Sequence, residues 1–150
     1  MKKLLAVLLT GALCLSLAAC GGGKGAFSPA KDAAALRDME GVFATGLIQI
    51  DQATACALYG IDESTVTESA VFGSASSAEE LAVFTFSSAE DAKAAQTQLQ
   101  YRVEDRMEEL RNYLPDELPK LEKAVIEVRE ASILLVVAAD YGPVEEFLKG

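Results

Sequence analysis

The chain has 150 residues, with 13 basic and 23 acidic side chains, no histidine, no tryptophan and a formal net charge of −10. The lack of histidine removes Ser-His and Cys-His nucleophile pairs, imidazole acid/base chemistry and every histidine-containing zinc site. The acidic excess argues against nucleic acid as a partner, because phosphate backbones are bound chiefly through Lys and Arg.

Lys2 and Lys3 precede an apolar run from Leu4 to Leu17, broken only by Thr10, Gly11 and Ser16 and closed by Leu17-Ala18-Ala19-Cys20. A helix that spans a bilayer needs about 20 apolar residues. This run is shorter and stops on small residues, so it reads as a cleaved secretory signal rather than a permanent span. Leu-Ala-Ala-Cys resembles the lipobox of bacterial prolipoproteins, in which the thiol accepts diacylglycerol before cleavage. The expected organisation is a signal peptide over 1–19, a lipidated flexible tether over 20–29 and a single extracytoplasmic domain over 30–150 at the cell membrane. One acyl chain binds a membrane marginally and two bind it stably, which makes a diacylated Cys20 a lasting anchor. Removal of Lys2 and Lys3 leaves 11 basic and 23 acidic residues, a net charge of −12.

Gly21-Gly22-Gly23-Lys24-Gly25 reads as a flexible spacer. A phosphate-binding loop would need a preceding strand and a Ser or Thr after the lysine, and Lys24 has neither. With Cys14 in the signal and Cys20 acylated, Cys56 is left alone, cannot close an internal bridge, and suits a buried position among small residues.

From Ala30 to Ala44, Leu36, Met39 and Phe43 recur at spacings of three and four and predict a first helix. Asp51 is placed to cap a second, short helix towards Tyr59, with Gly60 as its stop. Val66 to Phe72 and Leu81 to Phe86 read as strands joined through the polar Ser74 to Ala78 turn. Ser87 with Glu90, and Ser88 with Asp91, form overlapping capping boxes that open a long helix. Its apolar stripe runs Ala92, Ala95, Leu99, Val103, Met107, Leu110 and Leu114, and Pro115 and Pro119 end it. Ala124, Ile126 and Val128 then share a strand face opposite Glu127 and Arg129. Glu130-Ala131-Ser132 is a turn, and Ile133 to Ala139 is an uninterrupted apolar strand covered on both faces and placed centrally. A terminal helix spans Val144 to Leu148. The expected fold class is α+β, a four-stranded, mainly antiparallel sheet packed with one long and several short helices.

Tyr59-Gly60-Ile61-Asp62, Ala78 to Phe84, Arg102 with Tyr113 and Pro115, and Leu121 to Ile126 together resemble domain-of-unknown-function family 4358 over roughly Asp51 to Asp140. The resemblance implies a small lipoprotein of clostridia-like Gram-positive bacteria and brings no activity with it. Ala131 departs from the glycine that such members often carry near the last turn.

Carboxylates are the remaining route to catalysis. Adjacent acids occur at Asp62-Glu63, Glu79-Glu80, Glu104-Asp105, Glu108-Glu109, Asp116-Glu117 and Glu145-Glu146. Two carboxylates cleave a glycosidic bond only where their environments separate their pKa values, whereas neighbours in sequence point in different directions and read as solvated faces and caps. No calcium-loop spacing is present, and no metal or cofactor is expected. Arg102 and Arg106, one turn apart on the long helix, are the candidate ligand site: either a clamp for a small anion or partner carboxylate, or surface ion pairs with nearby acids. The expected function is a non-enzymatic binding or accessory lipoprotein that meets the membrane through Cys20 and a basic surface protein or peptide through its charge. A carboxylate-dependent cell-wall hydrolase is the alternative.

Because acylation consumes the Cys20 thiol, Cys20→Ser is expected to abolish metabolic labelling of the chain with palmitate. Equal labelling of variant and wild type would refute the lipobox reading.

Overall fold

A computed structural model describes residues 24–150. The signal and lipobox, with Cys20, lie outside the described residues. The domain is α+β: one antiparallel sheet of five strands in the order β1-β2-β3-β5-β4, with helices on both faces. In chain order the elements are α1 (Pro29–Asp38), β1 (Ile48–Ile50), α2 (Gln52–Tyr59), β2 (Val66–Gly73), β3 (Glu80–Phe86), α3 (Ala89–Arg111), α4 (Leu118–Glu122), β4 (Val125–Arg129), β5 (Ser132–Val137) and α5 (Gly142–Lys149). No described helix is long and apolar enough to cross a membrane.

The sheet has one strand more than the four expected. β1 is the addition, a three-residue Ile-Gln-Ile paired antiparallel with β2. A segment that short shows too little alternation to stand out. β5 is an inner strand between β3 and β4, and all six of its residues are buried. β3 holds the middle of the sheet.

Alternation divides the core in two. Ala82, Phe84, Ile133 and Leu135 face α2, α3 and α4, while Leu81, Val83, Leu134 and Val136 face α1 and α5. Two covered faces explain why β3 and β5 read as nearly continuous apolar runs in an antiparallel sheet, where one wet face is the usual pattern.

Local signals account for most helix ends. Asp51 caps α2 by accepting from the Thr54 amide at 3.0 Å, and Gly60 closes it with φ +66. Ser88, rather than Ser87, caps α3: its Oγ accepts from the Asp91 amide at 3.1 Å and donates to the Asp91 carboxylate at 2.6 Å. The first helix stops at Asp38 instead of running to Ala44. Gly41 there has φ +86, which turns the chain and buries Val42 completely. The last hairpin turns through Glu130 and Ala131, and Glu130 carries the left-handed φ of +51.

The packed domain also begins earlier than Ala30. Phe27 is buried at 2% exposure, its amide donates to Ser132 Oγ at 2.7 Å, and its ring lies 4.2 Å beneath the Arg129 guanidinium. Pro29 is the first residue of α1, and Ser28 caps it. A lone aromatic after a glycine-rich stretch has no periodicity to announce its burial; among the described residues, packing begins at Phe27. Phe27→Ala is expected to cost about 3–4 kcal/mol in chemical unfolding, whereas deletion of residues 24–26, all exposed, should change stability by less than about 0.5 kcal/mol. Equal stability of Phe27→Ala and wild type would show that this residue is not part of the core.

Candidate functional site

The first two acids of the β3 arm organise the site. Residues adjacent on extended chain point to opposite sides, and Glu79 and Glu80 accordingly find different partners. They are buried at 1% and 6% exposure, in contrast to the solvated pair expected. Glu79 Oε2 accepts from the amides of Ala44 and Thr45 at 3.0 and 2.9 Å and from the Thr45 hydroxyl at 2.8 Å. Its Oε1 accepts from Lys120 Nζ at 2.9 Å. Burial alone would raise the Glu79 pKa; the Lys120 ammonium and the Thr45 donors outweigh it and hold the carboxyl below its ordinary value. Lys120 also meets Glu117 at 2.9 Å, and the two carboxylates overcome burial to hold its pKa up.

Glu80 turns towards α2 and α3. Arg102 grips it from Nη2 at 3.0 Å and Nε at 3.3 Å, and the buried Tyr59 hydroxyl donates to the same carboxylate. The Arg102 guanidinium sits 5.6 Å from the Tyr59 ring centre. Burial, and then the charge of Glu80, push the Tyr59 phenol well above its ordinary pKa, so it remains a donor. Burial opposes the Arg102 charge, but Glu80 more than compensates.

The two arginines singled out from sequence therefore differ. Arg102 is committed to a buried ion pair with a strand residue 22 positions away, which helix-local reasoning does not reach. Arg106 pairs along the helix with Glu109 at 2.9 Å, and its buried Nε has no acceptor among the described residues. Both line a hollow of about 270 Å³ beside Ile48, Ile50 and Ser74. The acids that line the hollow, Glu79 and Glu80, are each paired with a cation, and the Ser74 hydroxyl is hydrogen-bonded to Thr45 at 3.0 Å.

Two other hollows flank α3. One, of about 300 Å³, is lined by Asp62, Asp91, Phe86 and Gln98. The Ser64 hydroxyl and amide hold Asp62 below the ordinary carboxylate range, and the Asp91 carboxylate accepts from the Ser88 hydroxyl at 2.6 Å. The other, of about 540 Å³, runs between α3 and β4. Val103, Met107 and Ile126, all half-buried, form its floor, and the exposed Glu104 and Glu122 stand on its rim. In the sequence Val103 and Met107 are ordinary members of the α3 stripe, and a helical stripe does not tell which of its members lack a covering partner. Cys56 is buried, and desolvation raises its thiol pKa further, aided by Glu63 and Asp62. Among the described residues no three His, Cys, Asp or Glu side chains are grouped to hold a metal.

A family profile described as Domain of unknown function (DUF4358) matches residues 44–138, and the chain belongs to that family. No curated protein and no solved structure matches the chain.

Because Glu79 has a depressed pKa in the folded state, its contribution to stability is present above the unfolded carboxyl value of about 4.3 and is lost as pH falls through the lower folded value. Glu79→Gln is expected to cost about 2–3 kcal/mol at pH 7 and to flatten the acid limb of unfolding free energy against pH. An unchanged acid limb would show that Glu79 is not a source of the acid sensitivity.

Proposed function

We propose that this DUF4358 member is a membrane-tethered extracytoplasmic lipoprotein, anchored through Cys20, whose acidic domain serves as a non-enzymatic binding or accessory module. The observation that carries the reading is the α3–β4 groove, where Val103, Met107 and Ile126 remain only half-covered beneath an acidic rim. Apolar side chains left open between charged neighbours favour contact with another molecule. The signal-like leader and Leu-Ala-Ala-Cys support the address.

Across that groove the hydrolase alternative has the acid pair Glu104 and Glu122 to draw on. A carboxylate pair works when one member is kept protonated by an apolar pocket and the other ionised. Both of these acids are exposed to water on the rim, in like surroundings. The mature chain is therefore expected to release neither reducing ends nor muropeptides from peptidoglycan. Cleavage that disappears in Glu104→Gln or Glu122→Gln, with the fold intact, would replace the module by an enzyme.

A further inference from the structure

The sheet ends at β4, whereas the helix above it reaches further. α3 packs on both β4 and β5, yet its Val103 and Met107 are only half-buried, and they line a groove whose other wall is Ile126 of β4. Earlier and later on the same helix, Leu99 and Leu110 are buried at 0% and 5% exposure. The shortfall is thus confined to the turns above the sheet margin, where a neighbouring strand is missing.

β4 itself is an open edge. It pairs only with β5 and contains neither proline nor lysine, two devices by which edges are commonly blunted. Its polar side chains are engaged on the far face: Arg129 meets Glu127 at 2.6 Å and the Leu148 carbonyl at 3.2 Å. Neither guards the groove. β1, the opposite edge, has three residues against the five of β4 and offers a shorter template.

The rim selects what can bind there. Glu104 and Glu122 have no cationic partner among the described residues; Lys120 is committed to Glu79 and Glu117 and Arg106 to Glu109, while the exposed Lys123 beside Glu122 makes no ion pair with it. A second copy of the domain would bring the same acids against their like, within a chain already of net charge −10, and like-charge juxtaposition disfavours that pairing. A helix would fill the groove but leave the main-chain groups of β4 unpaired. An extended segment satisfies them, and its alternate side chains reach the apolar floor.

Resting on the module reading, we propose that β4 is a β-augmentation site: an extended segment of a partner protein adds as a sixth strand beneath Val103 and Met107, with apolar side chains at its central α3-facing positions and Lys or Arg at the flanking positions of that same face. Its cations lie against Glu104 and Glu122, and its apolar side chains complete the cover of α3.

The probe is a short capped peptide that carries, on one strand face, a central Val with Lys or Arg two positions before and two positions after it, titrated into the mature chain at low salt. Expected are amide shifts and slowed amide exchange confined to β4 and the middle of α3, with affinity falling as salt rises. Glu104→Lys with Glu122→Lys, both surface changes, should weaken binding by about tenfold or more. A control peptide of equal charge with its central Val replaced by Pro cannot donate along the strand and should bind at least about tenfold more weakly. Equal binding of the Pro peptide would overturn the strand geometry in favour of charge or a helix. Protection of β4 that grows with protein concentration in the absence of peptide would overturn it in favour of self-association. No binding at β4 would remove the edge proposal, while the module reading would still stand or fall on its own turnover assay.

Discussion

Strands β3 and β5 carry apolar side chains on both faces, and an antiparallel pair of that kind has no side it can leave in water. The hydrophobic gain of burying a Leu, Val or Phe side chain, about 1.5–3 kcal/mol each, is realised only if a layer is supplied above and another below. α2, α3 and α4 supply the first, and α1, α5 and Phe27 the second. The placement of every helix, and of the hollows between them, follows from that demand.

The joints between layers are ionic. Glu79 and Glu80 enter β3 side by side and diverge, one tying the Ala44-Thr45 loop to Lys120 of α4, the other tying Tyr59 of α2 to Arg102 of α3. Buried charges of this kind contribute little net stability over an apolar replacement, but the loss of one partner leaves the other stranded. Their effect is to set which turn of α3 lies over which strand. That register places Leu99 inside and leaves Val103 and Met107 at the margin.

Features that act over a few residues were legible in the chain: the Asp51 and Ser88 caps, the Gly60 stop, the stripe of α3 and the two-faced apolar run of β5. Each leaves a local mark of spacing or side-chain chemistry. What depends on distant partners was not. β1 is a strand only because β2 lies beside it, and Phe27 is core only because Ser132 and Arg129 are there to receive it. The burial of Glu79 and Glu80 likewise depends on cations 41 and 22 positions away, so a reading by neighbours places them in solvent. For the candidate site the same division holds. Arg106 pairs within its helix as spacing suggests, Arg102 does not, and the apolar groove appears only when the sheet is seen to stop at β4.

The docking of Phe27 against Ser132 and Arg129 has a geometric consequence. It fixes where the leader departs from the domain, at the β4–β5 hairpin, and leaves only residues 21–26 between that point and Cys20. Extended chain covers at most about 3.6 Å per residue, so a lipid on Cys20 would hold this hairpin within roughly 25 Å of the bilayer. The protein would then survey a thin shell of space next to the membrane.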